Sequence, residues 1–366
     1  GDATGAIPER HGRQSARKRS ARPGTNVAAV TARREIRRVV AAPDKFKGTL
    51  SAHEVAAAIG HACWELGIDC VEVPMADGGD GLLDVLGGAN RTSTVTGPLG
   101  DPVDAAWRFS KGPAVIEMAR ASGLSLIGGA AGNAPREATT TGTGELIDHA
   151  LDAGARRIII GLGGSATTDG GFGAIRAITA IARLKRVELL IACDVTTTFT
   201  DAARVFAPQK GATPAEVKML TRRLERMVQM FAEDFDVDVS AIPGGGAAGG
   251  LGGALAALGG TLVPGFELVA DEVDLYDHLE GADLVITGEG RLDDTSFAGK
   301  VVGGVHQIAQ DMGSGTVAVV GAVAAGTRAD QLDVVSLTDL VGEDAARHQP
   351  KQSIERVVAD WLRERR

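Results

Sequence analysis

The chain has 366 residues, 44% of them apolar, with 50 glycines, 4% aromatics and a net charge of −9. That length accommodates two domains and a large core, and the glycine-rich but mixed composition belongs to an α/β protein, not a fibrous one. The absence of any run of about 18 apolar residues excludes a membrane-spanning helix, and few aromatics with a negative charge exclude a nucleic-acid face on the body.

Cys63, Cys70 and Cys193 follow no metal-ligand spacing, and an odd cysteine count fits a reducing cytosol, so a cytoplasmic protein is expected. Cys193 reads as a small packed hydrophobe. The first 38 residues hold nine arginines and Lys18 against Asp2, Glu9 and Glu35, a net of +7 that leaves about −16 for the remainder. Residues 1–37 therefore read as a disordered basic arm, with a transit peptide or a nucleic-acid tail as the alternatives.

Order is expected from the strand at Arg38-Val-Val-Ala-Ala, followed by Pro43-Asp-Lys-Phe-Lys and a helix opened by the capping-box pair Ser51 and Glu54 and ended by Gly67. Lys45 and Lys47 then lie in a strand-to-helix loop beside a positive helix terminus, where an anion is favoured; solvated lysines are the alternative. Cys70 to Pro74 reads as the next strand, and it exits into Met75-Ala-Asp-Gly-Gly-Asp-Gly81. Asp77 and Asp80 suit Mg²⁺, which takes few carboxylates and keeps substrate phosphate. Asx turns explain them equally.

Ala138-Thr-Thr-Thr-Gly-Thr-Gly144 opens a helix with Thr143 as its expected cap and Gly154 as its stop. The apolar run Ile158-Ile-Ile then empties into Gly161-Leu-Gly-Gly-Ser-Ala-Thr-Thr-Asp-Gly-Gly171. Such a loop at the carboxyl end of a buried strand is where open α/β sheets bind ligands, and its backbone N–H groups suit phosphate. Gly163, Gly164, Ser165, Thr167, Thr168 and Asp169 are its candidate contacts; an ordinary strand-to-helix turn is the alternative.

Glu188 to Thr196 reads as a strand with Asp194 at its end, a place for a base or metal carboxylate, or for a buried structural Asp. Lys210 follows in Phe206-Ala-Pro-Gln-Lys-Gly-Ala212 as a phosphate or carboxylate contact, with a surface lysine in a turn as the alternative, and a helix opens at Thr213-Pro214 and runs to about Asp234. Pro243 to Ala254 is a glycine stretch opening a small-residue helix. The strand Ala282 to Thr287 is expected to exit into a loop, Gly288-Glu-Gly-Arg-Leu-Asp293, before Lys300 and a helix from Val301. There Arg291 can clamp a carboxylate or phosphate at two points while Glu289 and Asp293 bind metal or accept a proton; a structural ion pair is the alternative. Strands at Thr316–Gly321 and Asp333–Ser336 and an amphipathic closing helix from Ser353 complete the chain.

These segments resemble the bacterial glycerate kinase family, type I. The likeness rests on Pro43 to Ala52, Pro74 to Gly81, Val115-Ile-Glu-Met-Ala-Arg-Ala-Ser-Gly-Leu124, Ala138 to Ile147, Gly161 to Thr167, Phe206 to Ala212 and Gly288-Glu-Gly-Arg-x-Asp293. It covers about 39–320. The sequence departs from the family at Thr168, where asparagine is expected, at Thr295 and Ser296, which replace a Gln-Thr pair, and through a shortened middle near 177–200.

The resemblance implies a two-domain α/β fold, with a discontinuous Rossmann-like parallel-sheet domain at 38–95 and 275–366, a second α/β domain at 96–274, and a cleft between them. It implies ATP- and Mg²⁺-dependent phosphorylation of D-glycerate, with 2-phospho-D-glycerate favoured over the 3-phospho product, by a monomer or homodimer that engages neither nucleic acid nor membrane. The chemistry then assigns Lys45, Lys47 and Lys300 to phosphate, Asp77, Asp80 and Asp293 to metal, Arg291 to substrate and Asp194 to proton transfer. Lys47 and Asp293 are also counted as catalytic, and Gly163, Gly164, Ser165, Thr167, Lys210 and Glu289 as substrate and phosphate contacts. Neither a P-loop nor a protein-kinase signature is present. The alternatives are a disabled glycerate-binding protein and a nicotinamide-dependent hydroxy-acid oxidoreductase, the latter opposed by the missing Gly-x-Gly-x-x-Gly after an early strand.

Overall fold

Short apolar runs set the strands of this computed structural model, which describes residues 35–329 and 332–365. The arm expected over 1–37 lies outside them except for its last three residues. In chain order the strands are β1 (Arg38–Ala41), β2 (Asp69–Glu72), β3 (Arg91–Thr96), β4 (Pro102–Trp107), β5 (Ala114–Glu117) and β6 (Arg157–Gly161). There follow β7 (Glu188–Ala192), β8 (Thr261–Val263), β9 (Leu284–Leu292), β10 (Gly315–Val323) and β11 (Asp333–Ser336).

Two parallel sheets result. The first, in the order β11-β10-β9-β1-β2, is assembled from both ends of the described chain. The second runs β5-β6-β7-β8, while β3 and β4 pair as an antiparallel ribbon. Val39, Val40, Val285, Ile286 and Ile158 to Ile160 are buried, as strands covered on both faces require. Val40 and Val285 of the first sheet share one apolar cluster with Val115, Ile159 and Ala192 of the second, so the two sheets are packed into a common core.

Local chemistry starts the helices. Ser51 Oγ accepts the Glu54 N–H at 3.3 Å while Glu54 Oε2 accepts the Ser51 N–H at 2.8 Å, opening Ala52–Glu65. Thr213 and Glu216 close the same box at Pro214–Phe235, whose Leu220, Leu224, Met227 and Phe231 form the buried stripe. Among the described residues no helix is long and apolar enough to cross a membrane.

Three expectations are corrected. The helix Thr141–Asp152 starts two residues before Thr143, which lies inside it, buried, with its hydroxyl 2.9 Å from that of Ser122. The strand expected to reach Thr196 stops at Ala192, where pairing with β8 ends. β9 continues through Gly288-Glu-Gly-Arg-Leu292 because β10 pairs with it along that length, so Glu289 and Arg291 stand on a strand and not on a loop. Cys193 packs against the core of the second sheet as expected, but it is only half-buried and also borders a cavity.

The shortened middle leaves the second sheet continuous. Only two short helices, Phe172–Ala177 and Ile181–Leu184, lie between β6 and β7, which pair directly from Arg157↔Glu188 to Gly161↔Ala192. The helix Thr141–Asp152 ties this connection down: Asp148 Oδ2 accepts the Thr179 N–H at 2.9 Å, and Asp152 pairs with Arg183 at 2.9 Å.

Candidate active site

All the strands that feed the site present their carboxyl ends to it. In the first sheet β1 and β9 are neighbours from which the chain proceeds in opposite directions, the crevice where open α/β sheets take ligands. A cavity of about 990 Å³ opens there, lined by Lys45, Lys47, Asp80, Glu289 and Arg291 among others. A second, of about 530 Å³, is lined by Ser165, Cys193, Asp194 and Lys210. The two share Asp77, Gly79, Leu124, Gly163, Gly164 and Lys300, so they form one cleft between the sheets.

Glycine lets the loops meet at its floor. A Cβ on Gly163 would fall 2.8 Å from Gly79 Cα, and one on Gly78, whose φ is +80°, would fall 2.6 Å from Gly265 Cα. Neither position admits a side chain. Behind this floor the buried Glu117 carboxylate accepts the N–H groups of Gly81 at 2.9 Å and Leu83 at 3.0 Å, and pairs with Arg120 at 2.9 Å. The Asp77–Asp80 turn is thereby fixed against β5.

Charge is concentrated in the cleft. Lys45 Nζ lies 3.5 Å from Asp44 Oδ1, and although burial lowers its pKa, Asp44, Asp77 and Asp80 outweigh this and the net shift is upward. Burial pushes the Asp44 carboxyl up to about 6 against Lys45, with Asp77 adding to the rise. Asp194 Oδ1 accepts the Gly265 N–H at 2.7 Å, yet desolvation in the cleft wall raises this carboxyl to about 6. Glu289 is pushed up to about 7, chiefly by burial, and its Oε1 has no hydrogen-bond partner among the described residues. Lys47, Arg291 and Lys300 make no ion pair among the described residues, leaving three cations available to a ligand.

Several expected contacts are turned away from the cleft. Asp169 faces inward: Oδ2 accepts from Thr140 N, Thr140 Oγ1 and Gly173 N at 2.8–3.1 Å, and Oδ1 from Gly171 N at 3.2 Å. It shapes the glycine loop from behind. Thr167 and Thr168 are buried, and the Thr167 carbonyl accepts from Lys210. Lys210 is only 3% exposed, so it is no surface lysine, yet it still borders the smaller cavity.

Asp293 does not line the cleft. Its Oδ1 accepts the Thr295 N–H at 2.8 Å and its own N–H donates to Ser296 Oγ at 3.0 Å, so the Thr295–Ser296 pair serves to cap the turn Asp294–Phe297. Among the described residues no three acids, histidines or cysteines converge on one metal position. Asp77 and Asp80, two carboxylates facing the cleft, fit an ion that keeps water and substrate ligands.

The sequence reading missed Asp44, Glu117 and the wall formed by Thr338, Glu343 and Arg347. Asp44 carried the same strand-end signal as Asp77 and Asp194. The wall at 338–347 carried none, because it enters the site only through the place of β11 beside β10.

The sequence profile described as "Glycerate kinase family" matches residues 39–182 and 178–364. The chain belongs to the glycerate kinase family. It is 40% identical over 326 residues to a glycerate 2-kinase of Escherichia coli (strain K12), covering 78% of this chain and 85% of that one. A glycerate kinase of Halalkalibacterium halodurans is 38% identical over 331 residues, covering 80% and 87%. A crystal structure assigned to glycerate kinase 2 from Salmonella typhimurium LT2 superposes with a TM-score of 0.79 at 38% identity, covering 90% of this chain and 98% of that one. The two profile matches meet at 178–182, inside the shortened middle. The 326 aligned positions of the E. coli relative fall on about 285 residues here, which puts this chain about 40 residues short across the span.

Proposed function

We propose that the cleft binds ATP with Mg²⁺ and transfers the terminal phosphoryl group to D-glycerate, on the 2-hydroxyl in preference to the 3-hydroxyl. The gathering of Lys45, Lys47, Arg291 and Lys300 opposite Asp77 and Asp80, over the Gly163–Gly164 floor, is the observation that supports this most. The names of the relatives support the substrate, and that of the E. coli relative supports the 2-hydroxyl. The domains we assign to the two sides of the cleft are 38–95 with 275–366, and 96–274.

In this reading Lys45, Lys47 and Lys300 surround the transferring group, where fixed positive charge lowers the barrier most. Asp77 and Asp80 hold the Mg²⁺, whose charge, when bound, offsets that of the phosphates. The Arg291 fork takes the glycerate carboxylate at two points. Asp194 accepts the proton of the attacking hydroxyl as the new O–P bond forms and the bond to ADP breaks. A carboxyl titrating at about 6 is ionised at neutral pH and remains basic enough for this step.

Coupled ADP release with D-glycerate, with L-glycerate as control and phosphorus NMR of the product, tests this reading. Turnover confined to D-glycerate, giving the 2-phospho product, is expected; equal turnover with L-glycerate contradicts it. The shortfall of about 40 residues favours one other reading, a glycerate-binding protein without turnover. Calorimetric binding of D-glycerate with no ADP release would establish that instead.

A further inference from the structure

Lys210 differs from the other cations of the cleft. It is almost wholly buried and has no carboxylate within ion-pair distance among the described residues. Its ammonium donates instead to Ser165 Oγ at 2.7 Å and to the Thr167 carbonyl at 2.6 Å. A buried ammonium is tolerated only where its N–H groups find acceptors, so Lys210 and this loop hold each other.

Other bonds fix the same loop. Ala166 N–H donates to the Ser122 carbonyl at 3.0 Å and Leu124 N–H to the Gly164 carbonyl at 2.9 Å. Asn133 Nδ2 bridges the Ala166 carbonyl at 3.0 Å and the Lys210 carbonyl at 2.8 Å. Ser165 is therefore held from both sides while it borders the cavity that contains Asp194 and Lys300.

A hydroxyl has one hydrogen and two lone pairs, and an ammonium can only donate. Lys210 thus fills a lone pair of Ser165, whose hydrogen finds no acceptor among the described residues. We propose that Lys210 is a positioning residue that fixes the Ser165 hydroxyl as a hydrogen-bond donor toward the cleft, where it receives an anionic carboxylate or phosphate oxygen of a ligand. This rests on the phosphoryl-transfer reading and makes Ser165, not Lys210, the group in contact. Burial brings the Lys210 ammonium down to about 7, with Asp169 opposing, while Asp194 and Lys300 face it across the cavity. As a neutral amine Lys210 can accept from Ser165 and draw the hydrogen inward.

Ser165→Ala, Lys210→Met and the double variant test this, each with a melting curve, with kcat and KM for D-glycerate and ATP, and with calorimetric titration of each ligand. Ser165→Ala and Lys210→Met are each expected to raise KM and Kd for the same ligand about tenfold with little change in kcat, the worth of one charge-assisted hydrogen bond. The double variant is expected to be no worse than Ser165→Ala alone. A rise for glycerate identifies a carboxylate contact, and a rise for ATP a phosphate contact. The affected KM is expected to climb as pH passes about 7 in the unsubstituted protein, and Lys210→Gln, which keeps a donor, to remove that climb. Unchanged KM and Kd in Ser165→Ala overturn the proposal, as do effects that multiply in the double variant; Ser165→Ala decides alone if Lys210→Met does not fold. A protein without turnover whose ligand binding still weakens tenfold in Ser165→Ala sinks the kinase reading and upholds this one. Binding of neither ligand sinks both.

Discussion

Two sets of carboxylates serve the same cleft under opposite conditions. Behind the loops, Asp169 and Glu117 are buried and their oxygens are taken up by backbone N–H groups, a threonine hydroxyl and Arg120. Within the cleft, Asp44, Asp194 and Glu289 are desolvated, and their pKa values rise to about 6, 6 and 7. Position, and not the number of backbone N–H groups, separates the two roles, since Asp194 also accepts from Gly265 and Phe266 yet is raised by desolvation in the cleft wall. Acids whose oxygens are taken up shape loops, and those raised by desolvation can exchange a proton nearer neutral pH.

The comparison breaks first at Asp169. Asp169→Ala leaves several buried donors without an acceptor, at roughly 1–3 kcal/mol each, so a loss of about 4 kcal/mol or failure to fold is expected in denaturant unfolding. Marginal destabilisation would mean that the loop is held by other contacts. Arg291→Lys addresses the cleft side: losing the two-point fork is expected to raise KM for D-glycerate by about tenfold or more while unfolding stays the same. Smaller again is the effect of pH. Asp44, Asp194 and Glu289 have folded pKa values above their ordinary ones, so the folded chain binds more protons than the unfolded chain between about pH 4 and 7. Their contribution to stability is therefore present at low pH and lost as pH rises through that window. Lys210, lowered to about 7, acts in the opposite sense: its penalty is relieved as pH rises from about 7 toward 10. Unfolding of Asp194→Asn across this range is expected to show a shallower fall than the unsubstituted protein. Ser51→Ala marks the bottom of the scale, costing about 1 kcal/mol of stability and no activity.

The strand ends that build the cleft were legible because an apolar run followed by glycine and acid has few other uses. Lys45, Asp77, Gly163 and Asp194 were placed that way, and the Ser51–Glu54 box followed from spacing alone. The inward turn of Asp169 and the burial of Lys210 were not legible, since a side chain's direction depends on partners distant in sequence, here Thr140 and Ser165. The extent of β9 was hidden for a related reason: Gly288 to Leu292 has a loop's composition and becomes strand only because β10 lies beside it. At Asp293 the sequence could not separate an Asx cap from a metal-binding carboxylate, because the two have the same signature.

The most direct measurement is D-glycerate-dependent ADP release by Asp194→Asn beside its thermal melt. If the desolvated cleft carboxylates carry the chemistry, turnover falls by about 10²–10⁴, the usual worth of a positioned base, while the melting temperature stays level or rises. Turnover retained within a few-fold in a well-folded Asp194→Asn would contradict this and leave Asp194 as a strut for Gly265.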